Sequence, residues 1–176
     1  MNPEELDGRI GEGWGGTSPD GCHVNVVLAH RGSSTAAAAI GMFANSPTPG
    51  HTPILCCVGP SQQEYEPIWP PTLMMNKGPA LDDRHQTITW GAAQLGIGQG
   101  VLDAVADGLV EASGDLLVLV AVWIDARADD ETAVREAARI AVRKAVGMCV
   151  EGRDATAAAR LVAERDSLRN PFYGGR

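Results

Sequence analysis

Leu116-Leu-Val-Leu-Val-Ala-Val-Trp-Ile124 is the stretch whose reading decides the fold. A membrane-spanning helix needs about 20 apolar residues, so this run is too short for one. It is apolar on both sides of a pleat, which predicts a central strand covered on both faces. Upstream, Val24, Val26 and Leu28 alternate with His23, Asn25 and Val27, the period of a half-buried strand. That alternation puts His23 and Asn25 on one face, about 6.5–7 Å apart along the strand, with the aliphatics on the other.

Helical signals fill the spaces between. Ser33 predicts an N-cap for an alanine-rich helix over 34–44, ended by Asn45-Ser-Pro-Thr-Pro-Gly50. Residues 92–111 predict a helix with Leu102, Val105 and Leu109 on one face and Gln99, Asp103 and Asp107 on the opposite one. Asp129-Asp-Glu131 favours a helix start. Val134, Ala138, Ala141 and Ala145 make that helix's packed stripe, and Glu131 is spaced to pair with Arg135. A last helix is expected near 154–166, before a Pro/Gly tail. Pro53–Val58, Thr72–Asn76 and Thr87–Trp90 read as further strands, and 59–71, with four of the eleven prolines, as a loop. Residues 1–21 are glycine-rich, with a turn at Pro19-Asp-Gly21, and predict no element of their own. The string is β-α-β-β-β-α-β-α-α, a mixed α+β domain over 1–176 with helices packed on a sheet.

Composition narrows the function. With 44% hydrophobic residues the chain can build a core. A net charge of −8 without a basic cluster argues against nucleic acid and anionic lipid as partners. The first residues, Met1-Asn-Pro-Glu-Glu-Leu-Asp7, are acidic and carry no apolar stretch, which argues against a signal peptide. Cys22, Cys56, Cys57 and Cys149 include no C-x-x-C pair and read as reduced thiols of a cytoplasmic protein.

The obvious motifs are weak. Gly11–Gly16 follows no strand, and Gly91–Gly100 fits neither G-x-G-x-x-G nor a P-loop, so close packing and turns explain these glycines better than nucleotide binding. His23, His30, His51 and His85 lack metal-ligand spacing. Ser33, His23 and an aspartate could be drawn as a triad, but there is no nucleophile elbow. By itself His23 is an ordinary strand histidine.

A set of blocks changes this. His23-Val-Asn-Val-Val-Leu-Ala-His-Arg-Gly-Ser33, Gly50-His-Thr-Pro53, Pro70-Pro-Thr-Leu-Met-Met-Asn-Lys77, Thr89-Trp-Gly-Ala-Ala-Gln94, Val101-Leu-Asp-Ala-Val-Ala-Asp-Gly108, Leu117–Trp123 and Asn170-Pro-Phe172 follow one another across about 11–172. Together they resemble the formaldehyde-activating enzymes. The resemblance implies a ribosomal-protein-like two-layer α+β sandwich with a left-handed β-α-β crossover, against the usual handedness. It also implies a metal-free hydro-lyase that condenses formaldehyde with tetrahydromethanopterin, as a homopentamer with active sites between subunits.

The family's catalytic histidine falls on His23, and its pterin-contacting positions on Asn25, Leu55, Lys77, Pro79 and Gln94. Asn25 stands where well-studied members carry aspartate, Pro79 where they carry threonine, and His30 where they carry proline. Gln62-Gln-Glu-Tyr-Glu66 lengthens the loop before Pro70. Chemically, losing hydroxide from a carbinolamine requires a proton donor, and an imidazole with a reference pKa near 6.5 can supply it at neutral pH. Two other functions fit the same residues: a paralogue joining a small aldehyde to a different amine, and a non-catalytic ring that binds a pterin or aldehyde adduct.

Overall fold

The computed structural model describes residues 2–44 and 52–170. The expected helix stop at Asn45–Gly50, His51, and the Pro171-Phe172 end of the last matching block lie outside the described residues.

Leu116–Ile124 forms β7, the middle strand of a five-stranded mixed sheet. On one side it pairs antiparallel with β2 (Cys22–His30), which pairs antiparallel with β1 (Ile10–Gly15). On the other side it runs parallel to β6 (Thr72–Asn76), which carries the short antiparallel β3 (Ile54–Leu55) at its edge. Cys57–Val58 (β4) and Glu66–Pro67 (β5) form a separate two-stranded ribbon. The expected strand over Pro53–Val58 is thus divided between two sheets, and part of the expected loop is strand.

One face of the sheet is buried under helices α3 (Gln94–Ala106) and α4 (Glu131–Glu151). Val24, Val26, Val118, Val120 and Val122 point into this layer and are fully buried. The predicted stripe of Val134, Ala138, Ala141 and Ala145 on α4 faces them. Strand β1 was not expected, because glycine has poor strand propensity. Its glycines serve close packing instead. A Cβ added at Gly11, Gly13 or Gly15 would lie 2.0, 2.0 and 2.1 Å from the carbonyl oxygens of Ala145, Ala141 and Ala137.

Thr87–Trp90, expected as a strand, is helical. Asp82 caps α2 (Asp83–Thr87), accepting a hydrogen bond from the His85 amide at 2.7 Å, and the chain continues through a π-helical segment, Ile88–Ala93, into α3. The β-branched Ile88 and Thr89 suggest a strand, but their burial against the core decides for helix. The buried stripe of α3 is Gly96, Ile97, Gly100, Val101 and Ala104, while Leu102 is 41% exposed, contrary to expectation. The two glycines let α3 lie on the carbonyls of Arg135 and Arg139. Asp103 and Asp107 then meet α4: Arg139 donates to both oxygens of Asp103 at 2.6 and 2.7 Å, and Arg143 to Asp107 at 2.7 Å. Glu131 accepts from Arg84 rather than from Arg135.

The other face of the sheet is only half covered. Helix α1 (Ser34–Ala44), capped by the Ser33 hydroxyl at 3.0 Å from the Ala36 amide, packs over Ala29 and Leu119. Asp7 anchors this corner, accepting from the His30 amide, the Ser33 hydroxyl and the Thr35 hydroxyl at 2.8, 2.7 and 2.9 Å. A proline at position 30 has no N–H to give Asp7. Further along, Ala121 and Trp123 of the central strand are half-buried, so β7 is not covered on both faces along its whole length. Helix α5 (Ala155–Ala163) follows α4, close to the range expected. All four cysteines are free, and no helix among the described residues is long and apolar enough to cross a membrane.

Candidate active site

The uncovered end of the sheet collects the polar and aromatic residues of alternate strand positions. Register pairs Trp14 with His23, His23 with Trp123, and Glu12 with Asn25, so all five side chains share one face. Lys77 follows β6 and continues its ladder, its amide donating to the Val122 carbonyl at 2.7 Å. Its side chain reaches over β7, bringing Nζ to 2.6 Å from Nδ1 of His23. On the far side of the ring, Nε2 of His23 lies 3.0 Å from Oε2 of Glu12.

The imidazole is therefore held between an amine and a carboxylate. With a carboxylate at Nε2, that nitrogen carries the hydrogen and donates it to Glu12, while Nδ1 accepts from the Lys77 ammonium. Trp14 packs beside the ring, and Trp123, in register with His23, packs on Trp14. The Trp14 and His23 centroids are 6.4 Å apart at 33°, and Trp14 and Trp123 6.3 Å apart at 31°. The Trp14 indole is itself fixed by donating to the Gly16 carbonyl at 2.9 Å.

Burial lowers the pKa of His23, the Lys77 charge lowers it further, and the hydrogen bond and charge of Glu12 work in the opposite direction. Burial also pulls Lys77 down to about 8, with Cys22 and Glu12 opposing. The Cys22 thiol is itself pushed up to about 12 by burial and is neutral near pH 7, so Glu12 is the counter-charge that matters there. Near neutrality the amine and the imidazole hold one proton between them, across 2.6 Å.

The sequence-predicted residues fall into two groups. His23, Lys77 and Asn25 share the uncovered face, with Asn25 beside Glu12. Leu55 has the same facing but sits on the edge strand, 43% exposed and in register with Leu73, which is about 13 Å down β6 from Lys77. Gln94 is buried beneath the β4–β5 ribbon. Its Oε1 accepts from the Cys57 amide and the Tyr65 hydroxyl, each at 3.3 Å, and its Nε2 donates to the Trp90 carbonyl at 2.8 Å. Leu55, Tyr65, Trp90 and Gln94 line one cavity. Pro79 is exposed and lines another with Trp123, Asn76 and His85. Within one chain, Leu55 and Gln94 are not brought to His23.

Glu12, Trp14 and Trp123 were missed by sequence reasoning. The signal was present in Gly11-Glu-Gly-Trp-Gly15, where every second residue is glycine: period two marks a strand with one bare face and one functional face.

The fold and this cluster define an α+β sandwich protein with a carboxylate, an imidazole and an amine grouped on the open half of its sheet. A family model described as "Formaldehyde-activating enzyme (Fae)" matches residues 10–173. The chain belongs to the formaldehyde-activating enzyme family. It is 32% identical over 169 residues to the 5,6,7,8-tetrahydromethanopterin hydro-lyase of Methanosarcina barkeri, covering 95% of this chain and 91% of the relative. It is also similar to two proteins named bifunctional enzyme Fae/Hps. That of Methanothrix thermoacetophila is 28% identical over 81% of this chain, and that of Methanococcoides burtonii 32% over 69%. The matches span 36% and 30% of those longer relatives.

Proposed function

We propose that this chain condenses formaldehyde with tetrahydromethanopterin, releasing methylene-tetrahydromethanopterin and water, as a cytoplasmic homopentamer. The observation that carries the reading is His23, held on an open sheet face with a carboxylate on one nitrogen and an amine on the other. The hydro-lyase of Methanosarcina barkeri, alike over nearly its whole length, supports the choice of substrates.

His23 acts as general acid. A secondary amine adds to formaldehyde to give a carbinolamine, and a proton from the imidazolium lets its hydroxyl leave as water. The second amine then adds to the iminium carbon and closes the ring. General acid catalysis of this kind contributes about 10²–10⁴-fold, and holding both amines at the carbon contributes further. Asn25, beside Glu12, both donates and accepts hydrogen bonds but cannot act as a base. Asn25, Leu55, Lys77, Pro79 and Gln94 are the pterin-contacting positions in this reading. The distance of Leu55 and Gln94 from His23 within one chain supports a site completed by a neighbouring subunit.

One observation favours a second reading, a paralogue that uses a different amine. Tyr65 belongs to the inserted Gln62–Glu66 segment, and its hydroxyl occupies Gln94 at 3.3 Å. The test is to mix the protein with formaldehyde and either tetrahydromethanopterin, tetrahydrofolate or simple diamines, and to measure acceleration over the spontaneous reaction. Acceleration with the methanopterin is expected. Acceleration only with another amine supports the paralogue, and none with any amine overturns both.

A further inference from the structure

Formaldehyde must be captured before a proton can expel its oxygen, and the structure holds a candidate for capture beside the acid. The chain has two lysines, Lys77 and Lys144. Lys144 is exposed and donates to the Trp14 carbonyl at 3.1 Å. Lys77 is half-buried, among the described residues forms no ion pair, and points Nζ at the imidazole Nδ1. The titratable groups around it are His23, Glu12 and Cys22.

We propose that Lys77 is a catalytic nucleophile that takes up formaldehyde as a covalent iminium and hands the carbon to the acceptor amine. The proposal rests on the formaldehyde-condensing reading above and adds a step to it. Moving one proton from Nζ to Nδ1 turns the resting pair into a neutral amine beside an imidazolium. The nucleophile and the acid thus appear together, without exchange with solvent, and Glu12 on Nε2 stabilises the imidazolium so formed.

The atoms balance. The Nζ lone pair forms a bond to the formaldehyde carbon, and the carbonyl π electrons pass to oxygen. That oxygen takes a proton as the nitrogen loses one, leaving Lys–NH–CH2–OH. The His23 imidazolium then protonates the hydroxyl, the C–O bond breaks, and water departs from Lys–NH⁺=CH2. The acceptor's secondary amine adds to this carbon. A proton passes from the acceptor nitrogen to Nζ, and the C–Nζ bond breaks, freeing the Lys77 amine and leaving the iminium on the acceptor. Attack by the acceptor's second amine closes the ring and releases the proton spent on water. Nothing is oxidised or reduced.

Burial strengthens the case. With a pKa near 8 rather than 10.5, Lys77 presents roughly three hundredfold more free amine at pH 7 than an ordinary lysine. The test uses the intact protein with ¹³C-formaldehyde and cyanoborohydride at pH 7, which reduces an iminium to N-methyl-lysine. Peptide mass spectrometry then compares the two lysines over time.

Lys77 is expected to be methylated at least tenfold faster than Lys144. Adding tetrahydromethanopterin before the reductant is expected to discharge the adduct. Equal labelling of the two lysines overturns the proposal, even where pterin condensation is accelerated. Labelling of Lys77 that other amines discharge and the methanopterin does not supports capture and overturns the pterin reading instead. An adduct that no amine discharges overturns the carrier role.

Lys77→Arg gives a separate reading, because it keeps the cation and a donor to His23 but removes the amine. It is expected to lose condensation as fully as Lys77→Met, by at least a hundredfold. Retention of more than a tenth of the rate overturns the covalent step.

Discussion

The two faces of strand β1 do opposite jobs. Toward α4, Gly11, Gly13 and Gly15 present nothing, and that absence lets helix carbonyls come as close as a Cβ would stand. Toward the open side, Glu12 and Trp14 present a carboxylate and an indole to the imidazole of His23. One face is governed by steric fit, the other by charge and hydrogen bonding. Substitutions one residue apart should therefore separate stability from catalysis.

The largest effect is expected where fit is tightest. Gly13→Val must push its side chain into the Ala141 carbonyl, which is backbone and cannot rotate away. A loss of about 3 kcal/mol or more, or failure to fold, is expected in urea denaturation. A stable, active Gly13→Val would break the contrast between the faces.

On the other face, His23→Ala should lower kcat/KM about 10²–10⁴-fold. Stability should change by no more than about 1 kcal/mol, because the ring packs beside Trp14 on the open sheet face rather than among the core aliphatics. A rate within threefold of wild type would remove His23 from the chemistry.

Glu12→Gln sharpens the picture through pH. In the proposed mechanism the reacting Lys77–His23 pair carries one proton, so kcat/KM should rise as His23 loses its proton below 6.5, since burial lowers its pKa. It should fall again through the Lys77 value of about 8. Glu12 holds the His23 pKa up by hydrogen bond and charge, so its removal should move the rising limb to lower pH. The plateau should drop less than about tenfold. An unmoved rising limb would separate Glu12 from the titration.

The smallest effect concerns stability at the site. The lowered pKa of Lys77 means that its buried ammonium opposes folding below pH 8, a penalty that fades between about 8 and 10.5. Lys77→Met should raise stability by about 1 kcal/mol at pH 7, with the gain shrinking above pH 8. Equal gains at pH 7 and pH 10 would contradict a buried charge.

Much of the architecture was legible because its signals were periodic and mutually consistent. β2 alternates, β7 is an unbroken apolar run, and α4 carries its alanines at helical spacing. The misreadings have physical causes. The β1 glycines look like a loop until a helix is laid on them. Ile88 and Thr89 look like strand residues until Asp82 starts a helix ahead of them. Half of the second face stayed open because α1 covers only the Ala29–Leu119 end, which no period in β7 reports. In the site, His23 and Lys77 were reached through the resemblance. Their contact depends on a long side chain crossing a strand, a matter of three dimensions.

Only two of the fourteen basic residues are lysines, and each ε-amine has an appointed neighbour, His23 for one and the Trp14 carbonyl for the other. The rest are arginines, whose guanidinium stays protonated throughout the physiological range. The ion pairs of the described surface thus use guanidinium cations, which are far less nucleophilic than an amine. In the covalent reading proposed above, attachment of an electrophilic carbonyl to the ε-amine of Lys77 is undone by the transfer step itself.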